Sequence, residues 1–295
     1  MPDLFVDVAL ALPTTNLFQY SVPEPLCEKI EVGKRVFVSV RTRRMVGTLV
    51  SVSSEASFTD IRDIESVIDE TPILSPSFLE LTRWMSETYF CSWGQAIEAA
   101  LPAPFKKGKF LMKSRGQKLG AGVDIVNPKD LGLTLGQESV FQKILQKIKS
   151  EETGHFLIHG ITGSGKTEVY MHLIREILER GKGSIVLVPE ISLTPQTVER
   201  FYSRFGDCLA VIHSRLTQAR RVEEWHRIRS GQARVVVGAR SAIFSPVKNL
   251  GLIVIDEEHD TSYKQEETPR YQTRCVAAKR ADLERAVLVM GSATP

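Results

Sequence analysis

The segment Gly160-Ile161-Thr162-Gly163-Ser164-Gly165-Lys166-Thr167 limits what this 295-residue chain can become more than any other. It follows the apolar run Phe156 to His159 and precedes a helical pattern starting near Glu168, so its glycines fall at a strand-to-helix turn. At such a turn, glycine lets successive backbone N–H groups point inward around an anion, and the helix that follows adds the positive end of its dipole. Read as a phosphate loop, Gly160, Thr162, Gly163, Ser164 and Gly165 form the cradle for ATP. Lys166 reaches the β and γ phosphates, and Thr167 is a ligand for magnesium. A glycine-rich turn with no ligand is the bland alternative, and the flanking strand and helix weigh against it.

The surroundings of the loop repeat one pattern. Short β-branched runs at Phe156–His159, Ser184–Val188, Leu209–Ile212, Arg234–Val237, Leu252–Ile255 and Ala286–Met290 alternate with helical stretches. Such alternation predicts an α/β lobe, a parallel sheet wrapped by helices, over residues 134–295. Residues 1–105 read differently, as a small β-rich mixed domain with strands at Phe5–Leu10, Phe18–Val22, Arg35–Val40 and Met45–Val52 suited to a compact barrel. A helix starts there at Pro76 with Ser75 as cap, and Phe78, Leu81, Trp84 and Met85 form its core stripe. Between the two, residues 106–133 are basic, glycine-rich and weakly periodic, which is the pattern of a linker. Two readings stay open for that linker: a solvated tether, or a tether that also touches phosphates.

Composition narrows the class without naming a function. At 42% hydrophobic and 25% charged residues the chain is neither disordered nor membranous, and no apolar run nears the ~20 residues that span a bilayer. Asp3 and Asp7 stand where a secretory signal has lysines, so a cytoplasmic location is expected. Cys27, Cys91, Cys208 and Cys275 lack paired spacing, which predicts reduced thiols and no zinc site in these residues. The net charge of +3 conceals two basic stretches: Arg35, Arg41, Arg43 and Arg44, then Lys106, Lys107, Lys109, Lys113, Arg115 and Lys118.

A second chemical element, Asp256-Glu257-Glu258-His259, follows the apolar run Leu252–Ile255. An acid at a strand end beside a phosphate loop can hold magnesium, and its neighbour can activate water, so Asp256 is assigned to the ion and Glu257 to the general base. Thr194 before Pro195 reads as a helix cap and first turn. Hydroxyls at a helix N-terminus can grip a DNA phosphate, which makes Ser192 and Thr194 candidates, with plain loop structure as the alternative.

These motifs resemble, in their order, those of superfamily 2 helicases, and in particular the PriA family of replication restart. The resemblance rests on Asp256-Glu257-Glu258-His259 at the place of a DEAH box, on Gly291-Ser292-Ala293-Thr294-Pro295, and on Val237-Gly238-Ala239-Arg240-Ser241-Ala242-Ile243-Phe244. It extends through Val188-Pro189-Glu190-Ile191-Ser192-Leu193-Thr194-Pro195-Gln196, His213-Ser214, and Ser262-Tyr263-Lys264-Gln265-Glu266 with Arg270-Tyr271. It implies a RecA-like ATP-binding lobe in which Gln137 reads adenine, a helix cap or surface position being the alternative, and in which Arg240 and Ser241 add DNA contacts, with loop structure as theirs. Tyr263, Lys264 and Tyr271 would belong to an aromatic-rich loop joining DNA contact to ATP hydrolysis, where a tyrosine can stack on any base or pack beneath the loop. His259 would either join the two sites or form a local ion pair.

The N-terminal domain resembles the part of that family that captures the 3′ end of a strand, through Phe18-Gln19-Tyr20, Leu101-Pro102-Ala103-Pro104 and Arg62. Phe18 would stack on the terminal base and Arg62 would line the pocket. Gln19 departs from the aspartate more usual there, and its amide accepts a hydroxyl without charge assistance. The resemblance implies an ATP-dependent 3′-to-5′ DNA helicase that recognises stalled or repaired forks, starts primosome assembly, and meets forked and single-stranded DNA, primosome proteins and single-strand-binding protein. It also implies a winged helix between the domains, for which the linker is too short, and a second lobe with a zinc module that these residues do not include. The expectation is half a motor, short of the opposite lobe's arginine finger and hydrolysing ATP slowly. Two other functions fit the same motifs: a duplex translocase that does not separate strands, and a non-catalytic module that recognises forks and recruits partners.

Overall fold

Strand β1 (Phe5–Leu10) turns Val6, Val8 and Leu10 into the interior, while β2 (Phe18–Ser21) contributes Tyr20. With β3 (Arg35–Val40), β4 (Arg43–Ser53) and β5 (Ser66–Val67) they form an antiparallel sheet in the order β2-β1-β4-β3-β5. Residues just before β5 return to β2, where Ser21 donates to the Arg62 carbonyl and accepts from Ile64 N–H. The two sheet edges are thereby joined, as the expected barrel requires. Helix α1 (Pro76–Thr88) starts at Ser75, whose hydroxyl accepts from Phe78 N–H. Its stripe Phe78, Leu81 and Met85 is buried, and Trp84 packs edge-on against Tyr89. Helices α2 (Trp93–Ala100), opened by a Ser92–Gln95 capping box, and α3 (Ala103–Lys106) follow.

The second sheet is wholly parallel. Helix α4 (Leu135–Lys149) precedes β6 (Gly154–His159), α5 (Lys166–Glu179), β7 (Gly183–Leu187), α6 (Pro195–Phe205), β8 (Leu209–Ile212), α7 (Gln218–Ser230), β9 (Val235–Gly238), β10 (Leu250–Ile255), α8 (Thr273–Glu284) and β11 (Val287–Ser292). Strand order is β6-β11-β10-β7-β9-β8. Strands β7 to β10 are buried on both faces, as parallel strands under helices must be. Each fully buried Leu173 or Ile174 against them contributes about 1.5–3 kcal/mol. The order sets the C-terminal ends of β6, β11, β10 and β7 side by side, and in open parallel sheets that edge is where ligands bind.

This computed structural model describes residues 4–108 and 132–294. Its contacts divide the chain into Met1–Met112 with Glu266–Tyr271, and Lys113–Gln265 with Gln272–Pro295. Lys109, Lys113, Arg115 and Lys118 of the expected basic linker lie outside the described residues. Among the described residues no helix is long and apolar enough to cross a membrane.

One basic residue departs from the expectation. Arg35, counted with Arg41, Arg43 and Arg44, is 1% exposed. Its guanidinium forks onto Asp69 at 2.6 and 2.9 Å and donates to the Phe105 carbonyl at 2.7 Å. It is a buried clamp and contributes nothing to a surface patch.

Candidate active site

The phosphate loop leaves β6 and enters α5. Gly163 and Gly165 take φ of 82° and 81°, the left-handed region where a β-carbon is strained. At Gly165 a β-carbon would also lie 2.3 Å from Gln137 Nε2. Lys166 is buried, and its ammonium donates to the carbonyls of Gly160 (2.6 Å) and Ile161 (3.4 Å), folded back into its own loop. The loop is fixed to the end of β11 by Gly160 N–H donating to Ser292 O at 3.0 Å. Thr162 and Ser164 are exposed on its rim.

Gln137 belongs to this site. Its side-chain oxygen accepts from Thr134 N–H at 2.9 Å, completing a capping box at the start of α4, and its Nε2 donates to the Ser164 carbonyl at 3.0 Å. The side chain expected to read adenine is thus held against the phosphate loop.

The acids face the loop from β10. Asp256 N–H donates to Leu187 O, and Asp256 Oδ1 accepts from the Tyr170 hydroxyl at 3.2 Å. Burial first, and then Glu257, push its carboxyl above the usual carboxylate range, with Tyr170 and Lys166 opposing. Burial likewise pushes the Tyr170 phenol up, so that it stays a donor. Glu257 has φ of 47°, a left-handed backbone costing ~1–3 kcal/mol, and bonds to Gly291 O from Glu258 and to Glu257 O from Asp260 hold the turn. Its carboxylate lies 3.7 Å from Lys166 Nζ and 3.6 Å from His259 Nε2. His259 Nδ1 meets Ser292 Oγ at 2.9 Å, so the imidazole bridges the acidic turn and the end of β11.

Thr167 and Asp256 border one cavity of about 100 Å³. An anion desolvated beside a hydroxyl and a loop of carbonyl and N–H groups fits a hydrated magnesium ion with a triphosphate. Among the described residues no three His, Cys, Asp or Glu side chains converge into a metal cluster, so the donors for that ion would be Thr167, Asp256, water and phosphate oxygens.

The expected DNA contacts divide into groups. Thr194 caps α6 by accepting from Thr197 N–H, and Ser192 precedes it in a short 3-10 turn. Arg240 donates to the carbonyls of Ser262 and Lys264, which ties it to the loop after the acidic turn, and Ser241 and Lys264 are exposed. Phe18 is half-buried against the first core, and Arg62 donates to Arg41 O at 2.7 Å. The amide of Gln19 is engaged by Ser57 N–H at 2.7 Å and Glu55 O at 3.3 Å.

Burial selects the packed alternative for Tyr263 and Tyr271, and departs from the expected DNA contact for Tyr20. Tyr263 is 1% exposed and donates to Asp256 O at 2.7 Å, while Tyr271 is 4% exposed. Tyr20 is buried in the first core with its hydroxyl on Ser39 O at 3.2 Å. A ring with no free face cannot stack on a base, so none of the three is a platform for DNA. Sequence reading also missed Tyr170. It lies one helical turn after Lys166, and that i to i+4 spacing on a helix entering from the phosphate loop is the signal that could have found it. Gly291 is required opposite it, because a β-carbon there would lie 1.8 Å from the Tyr170 hydroxyl.

Known proteins show the same two-part layout. Residues 7–102 match the PriA family described as 3'DNA-binding domain (3'BD), and residues 134–295 match the DEAD/DEAH box helicase family. The replication restart protein PriA of Bacillus subtilis is 54% identical over 165 residues, covering 56% of this chain and 20% of that protein. PriA of Treponema pallidum is 36% identical over 298 residues, 99% of this chain and 44% of its own length. PriA of Haemophilus influenzae is 31% identical over 360 residues, 98% of this chain and 49% of its own. The chain therefore spans less than half the length of these curated relatives. The Haemophilus alignment, at 360 positions, is longer than the 295-residue chain, so that relative carries a stretch with no counterpart here.

Proposed function

The chain belongs to the replication restart PriA family of DEAD/DEAH box helicases, and from that premise we propose that it supplies the fork-binding and ATP-binding parts of a 3′-to-5′ DNA helicase that restarts replication. The observation that carries this reading is the facing of Lys166 and Glu257 across 3.7 Å, while their chain neighbours Thr167 and Asp256 line one cavity together. When ATP binds, Lys166 exchanges the loop carbonyls for the β and γ phosphates, which releases Glu257 to take a proton from the attacking water. Thr167 and Asp256 hold magnesium, whose chemistry is to neutralise charge on the triphosphate. Ser192, Thr194, Arg240, Ser241 and Lys264 follow one DNA strand at its phosphates. Phe18, Gln19 and Arg62 meet a strand end, and primosome proteins and single-strand-binding protein are the partners. Residues 1–105 are the DNA-binding domain, 106–133 a basic linker in place of a winged helix, and 134–295 the first motor lobe.

Fluorescent-nucleotide titration tests the site: Lys166→Ala abolishes ATP binding. These 295 residues alone turn over ATP slowly, because the arginine finger of such motors comes from the opposite lobe and is worth roughly 10³–10⁵ in rate. Fast DNA-stimulated turnover by this chain, lost in Lys166→Ala, sinks that statement. Gln19 is neutral and already bonded to the 55–57 segment, so blocking the 3′ hydroxyl of a model fork weakens binding less than about tenfold, ~1.4 kcal/mol. A larger loss in fluorescence anisotropy overturns that expectation.

A further inference from the structure

Helix α6 is attached to its lobe by the buried Phe201 and Phe205 and by Val198 and Tyr202, which pack half-buried against the same core. Beside this apolar packing, an ionic attachment converges on Glu168, the residue after Thr167. Glu168 is 5% exposed. Arg204 Nη2 lies 2.5 Å from its Oε1, Arg200 Nη2 donates to its Oε2 at 3.1 Å, and His172 Nε2 is 3.8 Å from Oε1. A carboxylate at that depth persists only when paired, and both arginines come from α6. The same helix carries the Thr194 cap at its start, and Ser192, Thr197 and Arg200 border the cavity that Thr167 and Asp256 line. One buried anion therefore joins the first turn after the phosphate loop to the helix that begins at the DNA candidates.

We propose that Glu168 is a positioning residue that ties α6 to the phosphate loop, so that nucleotide at Lys166 and Thr167 and a DNA strand at Ser192 and Thr194 strengthen each other's binding. The inference rests on the proposed assignment of DNA to the start of α6. A helix moves as a unit, so a displacement of the Lys166–Glu168 turn reaches Thr194 through Arg200 and Arg204. Such coupling is reciprocal: each ligand must change the affinity for the other by the same factor.

The test is a pair of titrations on this chain, fluorescent ATP analogue with magnesium against oligothymidylate and the reverse. The wild-type chain shows a coupling factor on the order of ten in both directions. Glu168→Gln brings that factor to within about twofold of one, while the separate affinities stay within about threefold of wild type. A residue that merely supported the fold would shift both affinities and leave their ratio unchanged. Where circular dichroism shows Glu168→Gln unfolded, Arg200→Gln decides, because the Arg200 side chain is half exposed and the Arg204 pair survives. A wild-type chain that binds neither ligand overturns the proposed function itself. Binding of both ligands without coupling, or full coupling kept in a folded variant, overturns only the role given to Glu168.

Discussion

Asp256 is held where an anion is costly, and the cost has a direction in pH. Its folded-state carboxyl titrates above the ordinary carboxylate range because burial and Glu257 outweigh Tyr170 and Lys166. The folded protein therefore keeps a proton that the unfolded chain has released, so stability falls as pH rises from about 4 through the folded-state value. Asp256→Asn keeps an acceptor for Tyr170 and removes the charge. The variant is expected to melt higher than wild type at pH 7.5, with the gap narrowing toward acid pH, while losing ATP hydrolysis in the complete motor. Equal melting temperatures at pH 7.5 would mean that the carboxylate is not strained in the free protein. The position of Asp256 was readable from its place after an apolar strand, but its partners were not. Tyr170 and Tyr263 converge on it from different elements, and sequence gives no sign of whether a tyrosine presents its ring to solvent or its hydroxyl to a buried acceptor.

Elements joined by a buried ion pair are vulnerable to losing either partner. Arg35 at the start of β3 holds Asp69, just past β5, and the Phe105 carbonyl of α3, with both charged side chains almost fully buried. Asp69→Ala leaves an uncompensated guanidinium, and a loss of about 3–5 kcal/mol in urea unfolding of the first unit is expected. A loss under about 1 kcal/mol would place the pair with ordinary surface bridges. Arg35 also shows where sequence reading stops, because nothing in Arg-Val-Phe-Val-Ser-Val distinguishes a paired interior arginine from a surface one. The strands were legible in their β-branched runs: β1, β3 and β8 lie at the expected residues and the others are shifted by one to a few, except the two-residue β5, which was not expected. Helix α2 was not singled out, although Ala96, Ile97 and Ala100 recur at helical spacing and are buried, because a short stripe made largely of alanine is a weak apolar signal. Nor was the insertion of β11 between β6 and β10, because strand order follows from contacts distant in sequence.

At the scale of the whole molecule, the described residues include two separate core clusters with no residue in common, one around Val6, Val36 and Leu49 and one around Leu173, Val186 and Val254. A chain with two cores need not unfold in one cooperative step, and a ligand stabilises only the unit that binds it. Scanning calorimetry of this chain is therefore expected to show two transitions. Magnesium and ADP at a hundred times the dissociation constant should stabilise one of them by about 2.7 kcal/mol. Lys166→Ala should abolish that shift without moving the other transition, and Asp69→Ala should lower the transition that ADP leaves unmoved. The crossed pattern is the informative outcome, because it assigns each transition to a core by a variant on its own side. A single transition that ADP raises and Asp69→Ala lowers would instead mean that the two cores melt together, and two units that fold as one would answer to each other's ligands through stability alone.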